Sequence, residues 1–276
     1  MKVALVQMTS TDRPDENLAA CRSLVAEAAR TGAGFVLTPE VTNCISSSRA
    51  HQRAVLCEEA EDPSLAALRA DAAALGIWLL IGSLALKTRD ADGRFANRSF
   101  LIAPDGSVAA RYDKIHMFDV KVSETEIYRE SAAYRPGDRA VLATTPFARI
   151  GLSICYDVRF PHLYRRLCQA GAEVLTVPAA FNDTTGAAHW HSLLRARAIE
   201  NGAYVLAPAQ TGTHAAQLGA PRRTFGHSLV VSPWGEIVAE AGEEVGILTA
   251  EISLAEVARA RERVPSLTHD RTFEGP

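Results

Sequence analysis

The sequence predicts an α/β or α+β chain folded as one domain, and three observations carry that expectation. Residues 1–37 read strand–helix–strand, residues 77–111 read as an antiparallel meander, and residues 149–207 return to alternating strands and helices before a closing hairpin. No linker-like stretch and no internal repeat divides the 276 residues, so the domain is expected to run over 1–276 with a polar tail from about 264.

In order, 3–7 reads as a strand. Pro14 opens a helix with Leu18, Cys21, Leu24, Val25 and Ala28 on one face and Gly32 as the stop. Phe35–Leu37 is a second strand. Residues 42–60 are mixed, with Asn43 and the serines at 46–48 marking a loop placed to cover a site. Asp62-Pro63 is a cap followed by a first-turn proline, and Leu65, Leu68, Ala72 and Leu75 form a helical stripe ended by Gly76. Strands at 77–86, 99–102 and 107–111 are separated by D-A-D-G and P-D-G turns. Residues 114–139 read as a long polar loop with little internal pattern, a feature that is usually functional or disordered.

Ile150, Leu152 and Ile154 then alternate with Gly151 and Ser153 as a short buried strand, and a helix over 160–170 follows, capped by Asp157 and stopped by Gly171. A strand at 174–177 ends at Pro178. Beyond it come a helix over 189–200, a strand at Tyr204–Ala207 and a second irregular loop at 211–223. A hairpin of 229–231 and 236–239 about P-W-G, a last strand at 246–251 and a helix over 254–263 complete the chain.

Composition excludes several classes. The hydrophobic content of 47% and charged content of 22% are those of a globular chain, and a net charge of −3 gives no electrostatic case for nucleic acid or an anionic membrane. No run approaches the roughly 18 apolar residues of a membrane span. Five cysteines, at 21, 44, 57, 155 and 168, show no paired metal-ligand spacing, and an odd count behind a strand-like N-terminus argues against a disulfide framework. A cytoplasmic protein with reduced thiols is expected. His189 and His191, two apart on a helix, face different ways, and His116, His214 and His227 complete no ligand set, so no metal and no cofactor is expected.

The chemistry centres on Cys155. A lone cysteine is more often core than catalyst, as Cys21 and Cys168 on helices are expected to be. Cys155 differs because it stands at a strand-to-helix turn, where a side chain is exposed and backbone N–H groups can face a developing oxyanion. Two other stretches have the same shape. Phe35–Leu37 ends in Thr38-Pro39-Glu40, and the strand at 107–111 leads to Lys114. If the three strands share one sheet edge, a carboxylate, an ammonium and a thiol converge. Read singly, Glu40 is a strand-end acid, Lys114 a solvent-facing lysine and Glu130 a solvated loop carboxylate. Asp157 and Arg159 read as a structural pair beside the turn.

Glu40 in L-T-P-E, Lys114 in Y-D-K-I-H-M-F-D and Cys155 in G-L-S-I-C-Y-D-V-R-F-P together resemble the Glu-Lys-Cys triad of the nitrilase (carbon–nitrogen hydrolase) superfamily. Lys114 follows Glu40 by 74 residues and Cys155 follows Lys114 by 41, as in that family's order. The motif A-A-F-N-D-T-T-G-A-A-H-W at 179–190 resembles the segment lining its site, and G-H-S-L-V-V-S-P-W-G at 226–235 its late strand and turn. The resemblance implies a four-layer α-β-β-α sandwich, with Glu130 as a second glutamate holding the lysine. Tyr156, Phe181, Asn182 and Thr185 are implied substrate-binding residues, and a homodimer or larger homo-oligomer is the implied assembly.

A thiol is mostly protonated at neutral pH and needs a base or a nearby cation. Glu40 is the base candidate, and Lys114 supplies positive charge where an oxyanion forms, together with the N–H after Cys155. The motif forms look most like the branch of deaminated-glutathione amidases and omega-amidases. The expected reaction is hydrolysis of a small carboxylate-bearing amide through a thioester. N-carbamoyl amino acid hydrolysis, nitrile hydrolysis and a catalytically silent binding protein on the same fold are the alternatives. Arg222 and Arg223, in the 211–223 loop, either meet a substrate carboxylate or are merely solvated.

Overall fold

The structure is a computed structural model and describes residues 1–124, 126–219 and 221–275. Residue 125 of the expected 114–139 loop, residue 220 of the 211–223 loop and the last residue of the tail lie outside the described residues.

The strands are β1 (Lys2–Gln7), β2 (Phe35–Leu37), β3 (Trp78–Leu86), β4 (Ala96–Ile102), β5 (Val108–Asp113), β6 (Asp119–Lys121), β7 (Ile127–Arg129), β8 (Val141–Thr144), β9 (Arg149–Leu152), β10 (Val174–Thr176), β11 (Tyr204–Ala207), β12 (Thr211–His214), β13 (Arg222–Phe225), β14 (Leu229–Val231), β15 (Ile237–Glu240) and β16 (Gly246–Glu251). The α-helices are α1 (Pro14–Arg30), α2 (Arg49–Val55), α3 (Pro63–Leu75), α4 (Pro161–Gln169), α5 (Asp183–Asn201) and α6 (Leu254–Arg263).

Two six-stranded sheets organise the molecule, one in the order β16-β1-β2-β3-β4-β5 and the other β15-β14-β11-β10-β9-β8. Alternation along each strand decides which layer a side chain enters. Val3 and Leu5 of β1, Phe35 and Leu37 of β2, Leu80 and Leu101 join the core shared with the second sheet. Their neighbours Ala4, Val6, Val36, Leu79, Ile81, Phe100 and Ile102 pack instead with Cys21, Val25, Leu65 and Leu68 of α1 and α3. On the far side, Leu163 and Leu167 of α4 and Trp190 and Leu194 of α5 cover the second sheet. The result is the expected α-β-β-α sandwich. Capping follows the sequence signals: Asp62 accepts from the Leu65 N–H at 2.8 Å, and Gly76 ends α3 in the left-handed region with φ of 64°.

Several segments differ from expectation because local pattern carried no sign of their partners. The stretch after Lys114 holds a β6–β7 hairpin and a 3-10 turn at Glu130–Ala132, and β8 was not anticipated. The 211–223 loop is largely the β12–β13 hairpin. Residues 42–60 contain α2, capped by Ser48. Helix α5 begins at Asp183 rather than 189, since Asn182 caps it by accepting from the Thr185 N–H at 2.9 Å.

Candidate active site

The three chemical groups do not share one sheet edge, which corrects the sequence expectation. Glu40 follows β2 and Lys114 follows β5, both in the first sheet, while Cys155 follows β9 in the second. They meet because the two sheets face each other, and the site lies where the strand ends of both open into a cavity of about 690 Å³.

Lys114 is 2% exposed yet charged, so its surroundings must compensate. Its Nζ donates to Glu40 Oε1 at 2.8 Å and to both oxygens of Glu130 at 2.8 and 2.9 Å. Burial alone would favour the neutral amine. The charges of Glu130 and Glu40 outweigh it, and the ammonium is held well above the ordinary lysine range. Glu40 is 4% exposed. Burial alone would push its carboxyl up, but the Lys114 ammonium, then the Arg222 charge and the Ala180 N–H, hold it below the usual carboxylate value. Its Oε2 accepts from Ala180 N at 2.8 Å, and Asn97 Nδ2 donates to Oε1 at 2.9 Å. Glu130, on the 3-10 turn after β7, also accepts from the Phe118 N–H at 2.6 Å. A loop acid by pattern is thus half-buried and tied to the lysine.

Cys155 opens a 3-10 turn over Cys155–Arg159 with φ of 48°, a left-handed value that a non-glycine residue holds only under strain. Its N–H is fixed on the Pro178 carbonyl at 2.9 Å. Burial first, then the Glu40 carboxylate, push the thiol well above its ordinary range, with Lys114 and Arg222 pulling the other way. The thiol is therefore protonated at rest and sits beside a carboxylate that is not.

Asp157 does not cap the following helix, and it does not pair with Arg159. Fully buried, it accepts from Ile154 N (2.8 Å), His116 N (3.0 Å) and the Tyr112 hydroxyl (2.7 Å), and lies 2.7 Å from His116 Nδ1. It braces the turn that carries Cys155 against the end of β5. Arg159 lies over the rings of Tyr156 and Phe181 instead. The reason is reach: the turn is so tight that the Asp157 carboxylate folds back onto the N–H of Ile154, the residue that precedes it.

Tyr156, Phe181, Asn182 and Thr185 all line the cavity. Asn182 carries the α5 cap, and its Nδ2 reaches Glu126 at 2.5 Å and the Tyr128 hydroxyl at 3.2 Å. Sequence reasoning missed Asn97, Phe118, Tyr128 and Arg49, which also line it. Asn97 sits in a strand with no local mark of function. Tyr128 lies in the segment taken for loop. Cys21 and Cys168 are buried in the core as expected.

Outside the cavity, His191 avoids His189, as its spacing required, but meets His227 through Glu240. His191 Nε2 and His227 Nδ1 lie 2.8 and 2.9 Å from Glu240 Oε1, and the three atoms lie within 4.8 Å of one another. This grouping of metal-capable side chains joins three separate elements and has no signature in sequence.

The carbon–nitrogen hydrolase family model matches residues 2–262. The chain belongs to the carbon–nitrogen hydrolase family. It is 39% identical over 271 residues to a deaminated glutathione amidase of Yersinia enterocolitica, covering 98% of this chain and 92% of that protein. It also resembles a solved Saccharomyces cerevisiae member of branch 10 of the nitrilase superfamily, at 31% identity and a TM-score of 0.86, covering 99% and 97% of the two chains. A third likeness is to an amidase from Nesterenkonia sp. AN1, at 27% identity and a TM-score of 0.77, covering 96% and 98% of the chains. That structure is of a glutamate-to-glutamine variant with acrylamide added at its active-site cysteine. The carbon–nitrogen hydrolase described here is an amidase of the nitrilase superfamily, acting on carbon–nitrogen bonds other than peptide bonds. Among the described residues no helix is long and apolar enough to cross a membrane.

Proposed function

We propose that Cys155 is the nucleophile, Glu40 the general acid–base and Lys114 the oxyanion-stabilising cation of this amidase, with Glu130 positioning the lysine. The observation that carries the assignment is the double anchorage of Lys114 on Glu40 and Glu130, at 2.8 Å from each, on the wall that also holds Cys155. In acylation, Glu40 takes the thiol proton as sulfur attacks the amide carbon. The oxyanion forms toward the Lys114 ammonium and the Tyr156 N–H. The C–N bond breaks, and the leaving amine receives the proton from Glu40. In deacylation, Glu40 removes a proton from water as its oxygen attacks the thioester, and the same proton returns to sulfur as the acid leaves. The depressed Glu40 and raised Cys155 fit a base that is ionised at rest and a thiol that loses its proton only as it attacks. No step calls for a cofactor.

The substrate in this reading is a small amide carrying a carboxylate, of the deaminated-glutathione or omega-amidase kind. The named relatives support the choice. Purified protein is incubated with deaminated glutathione, α-ketoglutaramate and N-carbamoyl amino acids, and free amine or ammonia is assayed. Release from the first two is expected, and release from the carbamoyl compounds alone would overturn the substrate choice.

The same reading places the protein in the cytoplasm as a homodimer or larger assembly. Ile199 of α5, which adjoins Gly235, and the nearby Trp234 are exposed apolar groups beside the second sheet, a surface suited to a second copy. Sedimentation of the purified protein at micromolar concentration tests it, with a monomer as the adverse result.

A further inference from the structure

Arg222 and Arg223 are neighbours on β13, and a strand sends neighbouring side chains to opposite faces. Arg223 is 56% exposed, and its Nε donates to Asp183 at 3.0 Å while Nη2 lies 3.6 Å from Glu243. Its charge is matched on the protein surface. Both arginines border the cavity, but Arg222 has no such match. Its Nη2 donates to the Ala180 carbonyl and its guanidinium lies over the Tyr128 ring, 5.7 Å from the centroid. Its Nε is buried with no hydrogen-bond partner. Among the described residues no carboxylate comes within salt-bridge distance of it, although Glu40, Glu126 and Glu130 all line the same cavity. Glu40 and Glu130 are taken by Lys114, and Glu126 by Tyr128 and Asn182.

A half-buried guanidinium whose Nε is shut from water and unused is costly, and the group that best repays it is a carboxylate, which the planar fork can grip. The site is built for it. Tyr128 and the Ala180 carbonyl fix the fork, and the Ala180 N–H is the donor that orients Glu40 Oε2. A substrate anion on Arg222 is therefore registered against the residue pair that also aims the base. We propose that Arg222 is the carboxylate-binding subsite of the cavity, selecting amide substrates that carry an anion. The proposal rests on the reading of the cavity as the site of amide hydrolysis, and its test separates the two.

The test reads binding without turnover. Iodoacetamide, an uncharged reagent, alkylates Cys155, and protection by added glutarate is compared with protection by pentanamide, its uncharged counterpart. In the unaltered protein glutarate is expected to slow alkylation at concentrations where pentanamide does little. In Arg222→Gln the half-protecting concentration of glutarate rises at least tenfold relative to that of pentanamide. Arg222→Met, which keeps the apolar stem over Tyr128, gives the same reading should the glutamine variant fold poorly. Unchanged glutarate protection in the variants, an equal loss for both compounds, or no glutarate protection in the unaltered protein overturns the subsite. Hydrolysis is then measured separately. Intact protection with no amide turned over removes the reaction and keeps the subsite, whereas turnover with unshifted protection does the reverse.

Discussion

The Glu40 carboxylate accepts a hydrogen bond of 2.8 Å from the backbone N–H of Ala180, 140 residues further along the chain. That bond ties the end of β2 in one sheet to the segment after β10 in the other. With Oε2 on Ala180 and Oε1 on Lys114 and Asn97, both oxygens are oriented before any substrate arrives. Preorganisation of this kind spares the reorganisation that a mobile carboxylate would undergo during proton transfer.

If Glu40 is the general base, Glu40→Gln keeps the shape and removes the proton acceptor. The expected loss in kcat is about 10²–10⁴-fold, the usual worth of general acid–base catalysis. Cys155 remains open to alkylation by a strong electrophile in that variant. Cys155→Ala abolishes both turnover and alkylation at this position. Mass spectrometry of the intact protein after incubation with substrate and with iodoacetamide reads both. Turnover that survives Cys155→Ala would remove the covalent mechanism.

If Glu130 acts through Lys114, its replacement should lower kcat without ending turnover. Glu130→Gln retains an oxygen for the Phe118 N–H but halves the negative charge around the ammonium. A fall of about 10²-fold in kcat is expected, the scale of a misplaced catalytic group. Glu130→Ala, which also frees the Phe118 N–H, should fall further. Steady-state kinetics on both variants decide it. An unchanged kcat in Glu130→Ala would return this acid to the solvated loop role that pattern alone suggests.

Gly82 is the backbone position on which the approach of the two sheets depends. A Cβ there would stand 2.0 Å from the Thr38 carbonyl oxygen, 2.5 Å from that of Pro39 and 2.6 Å from Pro178 Cβ. Two of these obstacles are main-chain atoms of the segment that presents Glu40, and the third adjoins the strand end behind Ala179. None can swing aside as a flexible side chain would. Gly82→Ala should therefore cost about 3 kcal/mol or more in urea unfolding and depress kcat far beyond the loss in folded fraction. Normal kinetics in a normally folded Gly82→Ala protein would show that the segment has slack.

How far the fold was legible follows from the same geometry. The short apolar runs of β1, β3 and β4 and the glycine and proline punctuation of α1 and α3 are local, and those elements lie where pattern put them. The motifs around Glu40, Lys114 and Cys155 singled out three residues that line one cavity, but their approach from two sheets was not legible, because no local pattern says which sheet a strand joins. Asp157 illustrates the limit. Its place before a helix suggested a cap, while its partners Tyr112 and His116 lie more than 40 residues away. The short hairpins β6–β7 and β12–β13 escaped for a related reason. Three- and four-residue strands on polar chain leave too few positions for a period to register.

The acid limb of the rate profile should report Glu40. Its folded value is held below the ordinary 4.5, chiefly by Lys114 against the effect of burial, so the carboxylate stays ionised as pH falls through the usual glutamate range. The base is lost only below that range. The expectation is a flat kcat/KM from neutral pH down to about 5, with the decline setting in below the ordinary glutamate value. Rates are measured by brief assays with circular dichroism at each pH. A decline centred near 6, with the fold intact, would point to a different titrating group.

Stability has a separate acid dependence, and His214 supplies it. The imidazole is buried, with Nδ1 2.7 Å from the Ser10 carbonyl and Nε2 2.7 Å from the Thr224 hydroxyl. Burial, with a smaller contribution from the Arg222 charge, pushes it down from 6.5 to about 4 despite the Ser10 contact. The folded protein therefore keeps this histidine neutral while the unfolded chain protonates it. The stabilisation is whole above pH 6.5 and is lost progressively as pH falls toward 4. Between pH 6.5 and 5 the unfolding free energy should drop by about 1.6 kcal/mol on account of this residue, the slope approaching roughly 1.4 kcal/mol per unit as the unfolded imidazole becomes fully protonated. Urea unfolding at the two pH values, compared with His214→Gln, isolates the effect from that of the other titrating groups. Equal pH slopes in the two proteins would mean that His214 takes up its proton in the folded state as readily as in the unfolded chain.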